Sequence, residues 1–185
     1  MVMMNIIAYS LAALLSIFSN NLLAEASEYQ IELIVFAQTI PDTEVFDQRE
    51  SQIKWPAALT ELSDYKQSDP MMLKDSYAAL AKAAAYRPIL HVSWIQAIGE
   101  ESSSAPVHIE SGEGKLNGYF HIQRGKALQL IVDLEYTPGQ SNSSVNSFYS
   151  DSTIYRLNEK RSIQLNEVYY LDHPKFGVIT KTKTL

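Results

Sequence analysis

The chain has 185 residues, 46% of them hydrophobic and 19% charged, which is enough apolar material for one folded core and argues against disorder throughout. Its formal net charge is -6, Arg49 is its first arginine or lysine, and no dense basic run follows, so there is no electrostatic footprint for nucleic acid. It has no cysteine, which excludes disulfides, thiolate nucleophiles and thiolate metal sites, and predicts no lipid anchor.

The first element is an apolar run, Ile6 to Phe18, of the length of a signal-peptide core and too short to span a bilayer. Small residues follow at Ala24 and Ala26, so residues 1–26 are expected to be a cleavable signal peptide despite having no lysine or arginine. Residues 27–185 then form a single α+β domain. Tyr29 to Gln38 reads as a strand. Tyr29, Ile31, Leu33 and Val35 share one face, and Ile34 and Phe36 make the other face apolar too, as in a central strand covered on both sides. Thr39 to Pro70 lacks any sustained period and reads as a long loop with a helical turn between Pro56 and Leu62. Trp55 in its middle either pins the loop to the core or presents its ring to a ligand; pinning is the favoured reading.

From Met71 the period becomes helical. Leu73, Tyr77, Leu80, Ala81 and Ala84 share one stripe, and Pro88 stops the helix near Tyr86. A strand from Ile89 to Gln96 and a short one from Pro106 to Ile109 come next. Leu116 to Tyr136 is a hairpin: Leu116, Gly118, Phe120 and Ile122 alternate on the way up, and Leu128, Leu130, Val132, Leu134 and Tyr136 on the way down. Both sets are even-numbered, so the loop has an odd length, with Gln123-Arg124-Gly125 offering a glycine for a left-handed position. Thr137 to Ser152 is a polar loop, Thr153 to Leu157 a short strand, and Asn158 to Lys160 a turn. Arg161 to Thr182 is a terminal hairpin, with Ile163, Leu165, Tyr169 and Leu171 before a corner at Asp172-His173-Pro174-Lys175, and Phe176, Val178 and Thr180 after it. Asp172 can close that corner by accepting a backbone hydrogen bond. The elements together predict an α+β fold: a mainly antiparallel sheet of about six strands, with the Leu73 to Tyr86 helix packed across one face.

Four blocks carry a resemblance. Tyr169-Tyr170-Leu171-Asp172-His173-Pro174-Lys175-Phe176-Gly177 resembles the YLDHPxFG ending of the CsiV family, periplasmic peptidoglycan-binding proteins of Gram-negative bacteria. Tyr86 to Gln96 is similar to that family's YRxLxHxxWxQ element, and Tyr29 to Phe36 to its YxxELIVF start. The LxG at Leu116-Gly118 and the ending at Asp133, Leu134 and Tyr136 resemble its central block. The resemblance implies a non-enzymatic periplasmic accessory factor of cell-wall assembly. Its partners would be peptidoglycan and a cell-wall synthase or the activator of one.

The residues themselves bring no catalytic constellation forward. His91, His108, His121 and His173 are scattered, with no metal-ligand spacing, and there is no phosphate-binding loop, nucleophile elbow or dinucleotide fingerprint, so no cofactor is expected. Peptidoglycan offers sugar rings for stacking and stem-peptide carboxylates for arginine or lysine. Tyr86, Arg87, His91, Trp94, Tyr170, Asp172, His173 and Lys175 supply those side-chain types and are the candidate ligand-binding residues. Two other classes remain open: an interaction module that regulates a cell-wall synthase without touching glycan, and an enzyme acting on peptidoglycan.

Overall fold

β1 (Ser27–Gln38) is the strand on which the others assemble. Tyr29, Ile31, Leu33 and Val35 are fully buried in the main core, while Ile34 and Phe36 on the opposite parity belong to a second core beneath the helix. Apolar residues on both parities are what a strand covered on two sides requires. The computed structural model describes residues 27–39, 41, 43–69, 71–99, 104–112, 115–138 and 153–185. The expected signal peptide and most of the Thr137 to Ser152 loop lie outside the described residues.

Among the described residues, the remaining strands are β2 (Thr60–Glu61), β3 (Lys66–Gln67), β4 (Tyr86–Ile98), β5 (Val107–Ser111), β6 (Leu116–Arg124), β7 (Leu128–Tyr136), β8 (Tyr155–Ile163), β9 (Val168–His173) and β10 (Phe176–Thr184). They form two five-stranded sheets, ordered β3-β4-β1-β10-β9 and β2-β5-β6-β7-β8. Pairing is antiparallel throughout except for β2 with β5. The main core lies between the sheets, where Trp94, Phe176 and Val178 of the first meet Phe120, Val132 and Leu134 of the second. The expected single sheet of about six strands is therefore corrected to two packed sheets. Alternation tells which face of a strand is buried but not what buries it, and two of the ten strands are two-residue pieces within what reads as a loop.

Helix α1 (Lys74–Lys82) covers the outer face of the first sheet through Leu73 and Leu80. It ends before the expected Tyr86 because Ala83 is already extended and Tyr86 pairs with Gln38. Pro88 fits within β4 because the pairing slips there: Val35 faces Leu90 and Phe36 faces Pro88, leaving Ile89 as the extra residue of a bulge.

The central hairpin keeps the predicted parity, with Leu116 opposite Tyr136, Phe120 opposite Val132 and Ile122 opposite Leu130, but not the register that a loop at Gln123-Arg124-Gly125 implies. Its odd-length loop is Gly125 to Ala127, one turn later than read, and Gly125 is not left-handed. The terminal segment differs more. Asn158 to Lys160 lies inside β8, and the chain changes sheets through a turn in which Asn166 has φ 66° and donates its N–H to Thr182 O at 2.8 Å. The predicted run from Ile163 to Leu171 is thus two strands of different sheets. The corner is tighter as well, since β9 reaches His173 and only Pro174 and Lys175 form the loop.

Residues 48–55 lie across the outer face of the second sheet. Gln48 Nε2 and Gln52 N donate to the Glu135 carboxylate at 2.8 and 2.7 Å, and Trp55 packs edge-on to His108 at 5.6 Å. Trp55 also meets Tyr119, so it rests on the outer face of the sheet and not on the core, with part of its ring left exposed. Beneath, Arg156 holds buried Asp133 through two hydrogen bonds of 2.8 Å. Burial lowers the His108 pKa, but hydrogen bonds to Asn117 and Glu61 and the charges of Glu61 and Glu110 outweigh it and raise the value above the ordinary 6.5. A raised folded-state pKa stabilises below the unfolded value, and that contribution is lost as pH rises through the folded one. The stability margin of the wild type over His108→Gln should accordingly shrink between acidic and alkaline urea titrations, and an equal margin at both ends would contradict it.

Candidate ligand-binding site

The C-terminal end of β1 brings the candidates together. Gln38 leaves the sheet there, and its amide Nε2 donates to Asp172 Oδ1 at 2.7 Å and to His173 O at 2.9 Å. Tyr170 OH donates to the same Asp172 oxygen at 2.6 Å. Asp172 therefore does not close the corner, as expected from the sequence; His173 Nδ1 takes that part by accepting the Lys175 N–H at 3.1 Å. The Asp172 carboxylate instead joins the end of β9 to the end of β1 through Gln38.

Tyr170 is 44% exposed, and its ring stacks on Phe36 at 6.1 Å with an interplanar angle of 12°. Gly177 makes the stack possible, since a Cβ there would stand 2.6 Å from Phe36 Cζ. Partial burial, then the hydrogen bond and charge of Asp172, push the Tyr170 phenol well above its ordinary pKa, so it stays a neutral donor. The ring is backed on one side and fixed at its hydroxyl, a suitable platform for stacking a sugar.

On the other side of Gln38 lies an open cleft of about 250 Å³ that Gln38, Arg87, Tyr136, Tyr155 and Lys175 line. Arg87 Nη2 donates to Tyr136 OH at 2.7 Å, and both residues also border a second cleft of about 290 Å³ that contains Lys115. His173 faces a third concavity, where its ring meets Phe46 at 5.1 Å and Tyr155 at 5.8 Å.

Five candidates, Arg87, Tyr170, Asp172, His173 and Lys175, thus share one end of the sandwich, and Tyr86 joins them through an edge-on contact with Phe36 at 5.5 Å. Two do not. Trp94 is 0% exposed, packed edge-on to Phe120 at 5.5 Å with its indole N–H donated to Gln96 Oε1, so it is a core side chain and leaves the candidate set. His91 lies under α1, bonded to Glu32 at 2.7 Å and stacked on Tyr77 at 4.6 Å. Sequence reading missed Gln38, Tyr136 and Tyr155. Each ends or begins a strand, where alternation assigns a face but cannot show that the polar tip reaches a neighbouring element. Among the described residues, no three His, Asp or Glu side chains gather as a metal site.

The fold and this surface define a helix-backed, two-sheet sandwich with tyrosine rings and cations at one open end. Residues 65–184 match the family model described as peptidoglycan-binding protein, CsiV. The chain belongs to the CsiV family. The matched segment begins after β1, although β1 is the central strand of the first sheet. No curated protein and no solved structure gives a significant match.

Proposed function

We propose that this protein is exported to the periplasm and binds peptidoglycan there as a non-enzymatic accessory factor of cell-wall assembly. The observation that carries the reading is the convergence around Gln38 of a backed, exposed Tyr170 ring with the Arg87 and Lys175 cations. Family membership points to the same ligand, and the apolar run from Ile6 to Phe18 supports export. Sugars stack on such rings, and hydroxyls find both donors and acceptors in Gln38 and Asp172.

Sedimentation with purified sacculi tests it. The wild type should pellet, and Tyr170→Ala should bind about tenfold or more weakly. The same change should cost only about 1 kcal/mol of stability, the worth of an aromatic pair. Phe176→Ala is the folding counterpart: its ring is 0% exposed and packs on Tyr136, so it should lose about 3 kcal/mol in urea. Tyr170→Ala unfolding as readily as Phe176→Ala, or pelleting like the wild type, would move the site elsewhere. Soluble fragments released from the sacculi would point to an enzyme instead.

A second reading has one observation in its favour. Leu80, Ala79, Ala83, Tyr86 and Ile179 line an apolar groove of about 400 Å³ beside α1, suited to a protein partner such as a cell-wall synthase or its activator. A module working only in that way would stay in the supernatant with sacculi.

A further inference from the structure

Arg87 differs from the arginines that are spent on structure. Arg156 is neutralised by Asp133 and Arg161 by Glu159, but among the described residues no carboxylate pairs with Arg87. Its one hydrogen bond goes to a neutral group, the Tyr136 hydroxyl. Tyr136 is 3% exposed and packs against Phe176 at 5.7 Å, so that hydroxyl is a fixed anchor. The backbone is fixed too, because Arg87 pairs with Ala37 and precedes Pro88.

The guanidinium is therefore held at the surface with its charge uncompensated and most of its donors unused. It stands between the two clefts, with Lys175 in one and Lys115 in the other. Arg124 is likewise held by a tyrosine hydroxyl, that of Tyr29, but its guanidinium lies over the same ring at 5.8 Å, whereas Arg87 opens onto two clefts that can admit a ligand of opposite sign. A planar fork of N–H donors matches a carboxylate in geometry as well as charge, whereas sugar hydroxyls are neutral and gain little from it.

We propose that Arg87 receives a carboxylate of the peptidoglycan stem peptide, with the peptide lying along the two clefts and the sugar on the Tyr170 side of Gln38. This rests on the peptidoglycan-binding reading and adds to it the moiety recognised and the residue that recognises it. Tyr136 is a positioning residue: its hydroxyl aims the fork and does not itself meet the carboxylate.

Calorimetric titration of the full chain with three soluble probes tests the assignment: a synthetic stem tetrapeptide with free carboxylates, the same peptide fully amidated, and peptide-free glycan strands. The wild type should bind the acid about tenfold more tightly than the amide, the worth of a charge-assisted hydrogen bond. Arg87→Gln should erase that preference, and Arg87→Lys should restore part of it, because it keeps the charge and loses the fork. Tyr136→Phe keeps the core ring and should reduce the preference without abolishing it, which provides the test even if Arg87→Gln folds poorly. Equal binding of acid and amide, or a preference that survives in Arg87→Gln, overturns the proposal. If the wild type also sediments with sacculi, the peptidoglycan reading stands without it. If the wild type binds neither sacculi nor glycan strands, both fall.

Discussion

Gly118→Ala should destabilise the protein by about 3 to 5 kcal/mol, the sum of a strained backbone and a forced overlap. Gly118 has φ 147°, a conformation side chains rarely adopt, and it sits inside β6 opposite Leu134. A Cβ there would lie 2.1 Å from Asp133 O and 2.8 Å from Leu134 Cα. Both obstacles are backbone, so β7 itself would have to move, and β7 is held on its other edge by β8. Gly112 is the control: its φ is 56°, but nothing lies within 4 Å of an added Cβ. Gly112→Ala should cost only about 1 to 2 kcal/mol, the penalty for the conformation alone. Urea midpoints of the two variants separate overlap from torsion, and equal losses would show that the close approach of β6 to β7 costs nothing.

Glu32→Ala should lose about 3 to 5 kcal/mol, because a buried acceptor shared by three donors disappears. Glu32 lies beneath α1 at 0% exposure, on the face of β1 that also carries Ile34 and Phe36. Its carboxylate accepts His91 Nε2 at 2.7 Å, Leu73 N at 3.0 Å and Met72 N. Leu73 is the N-cap of α1 and offers no side-chain cap, so the sheet supplies from below the negative group that the helix start needs. Alanine would leave two backbone donors and an imidazole without their acceptor. Glu32→Gln keeps an acceptor oxygen and should lose less. Amide hydrogen exchange gives the second readout, because α1 should open well before the sheets do in Glu32→Ala. An α1 that stays protected in that variant would mean that Leu73 and Leu80 alone hold the helix in place.

How much was legible follows from the range of each interaction. Alternation along Leu116 to Tyr136 was enough to put the right residues on one face, but not for the register, because every odd-length loop preserves the same parity. The mixed parity of Tyr29 to Phe36 marked β1 as covered on both faces, and Tyr170 was rightly placed on the face opposite Leu171. Trp94 was misread as a ligand-binding ring because an aromatic residue on a strand looks the same whether a second sheet or a sugar covers it. That second sheet was hidden because Ile163 and Leu171 have the same parity, so their segment read as one strand. A single left-handed asparagine at position 166 divides it.

The sequence by itself determined the local periods: the alternating faces of the long strands, the stripe that makes the helix, and a corner at Pro174. Parity and turn chemistry act over a few residues, so they are written in consecutive positions. Only the tertiary structure decided that two sheets pack face to face, that Glu32 caps a helix from beneath, and that Tyr136 holds Arg87 beside Gln38. Those contacts join residues 40 or more positions apart, and a polar side chain at the end of a strand carries no local mark of the element it will meet.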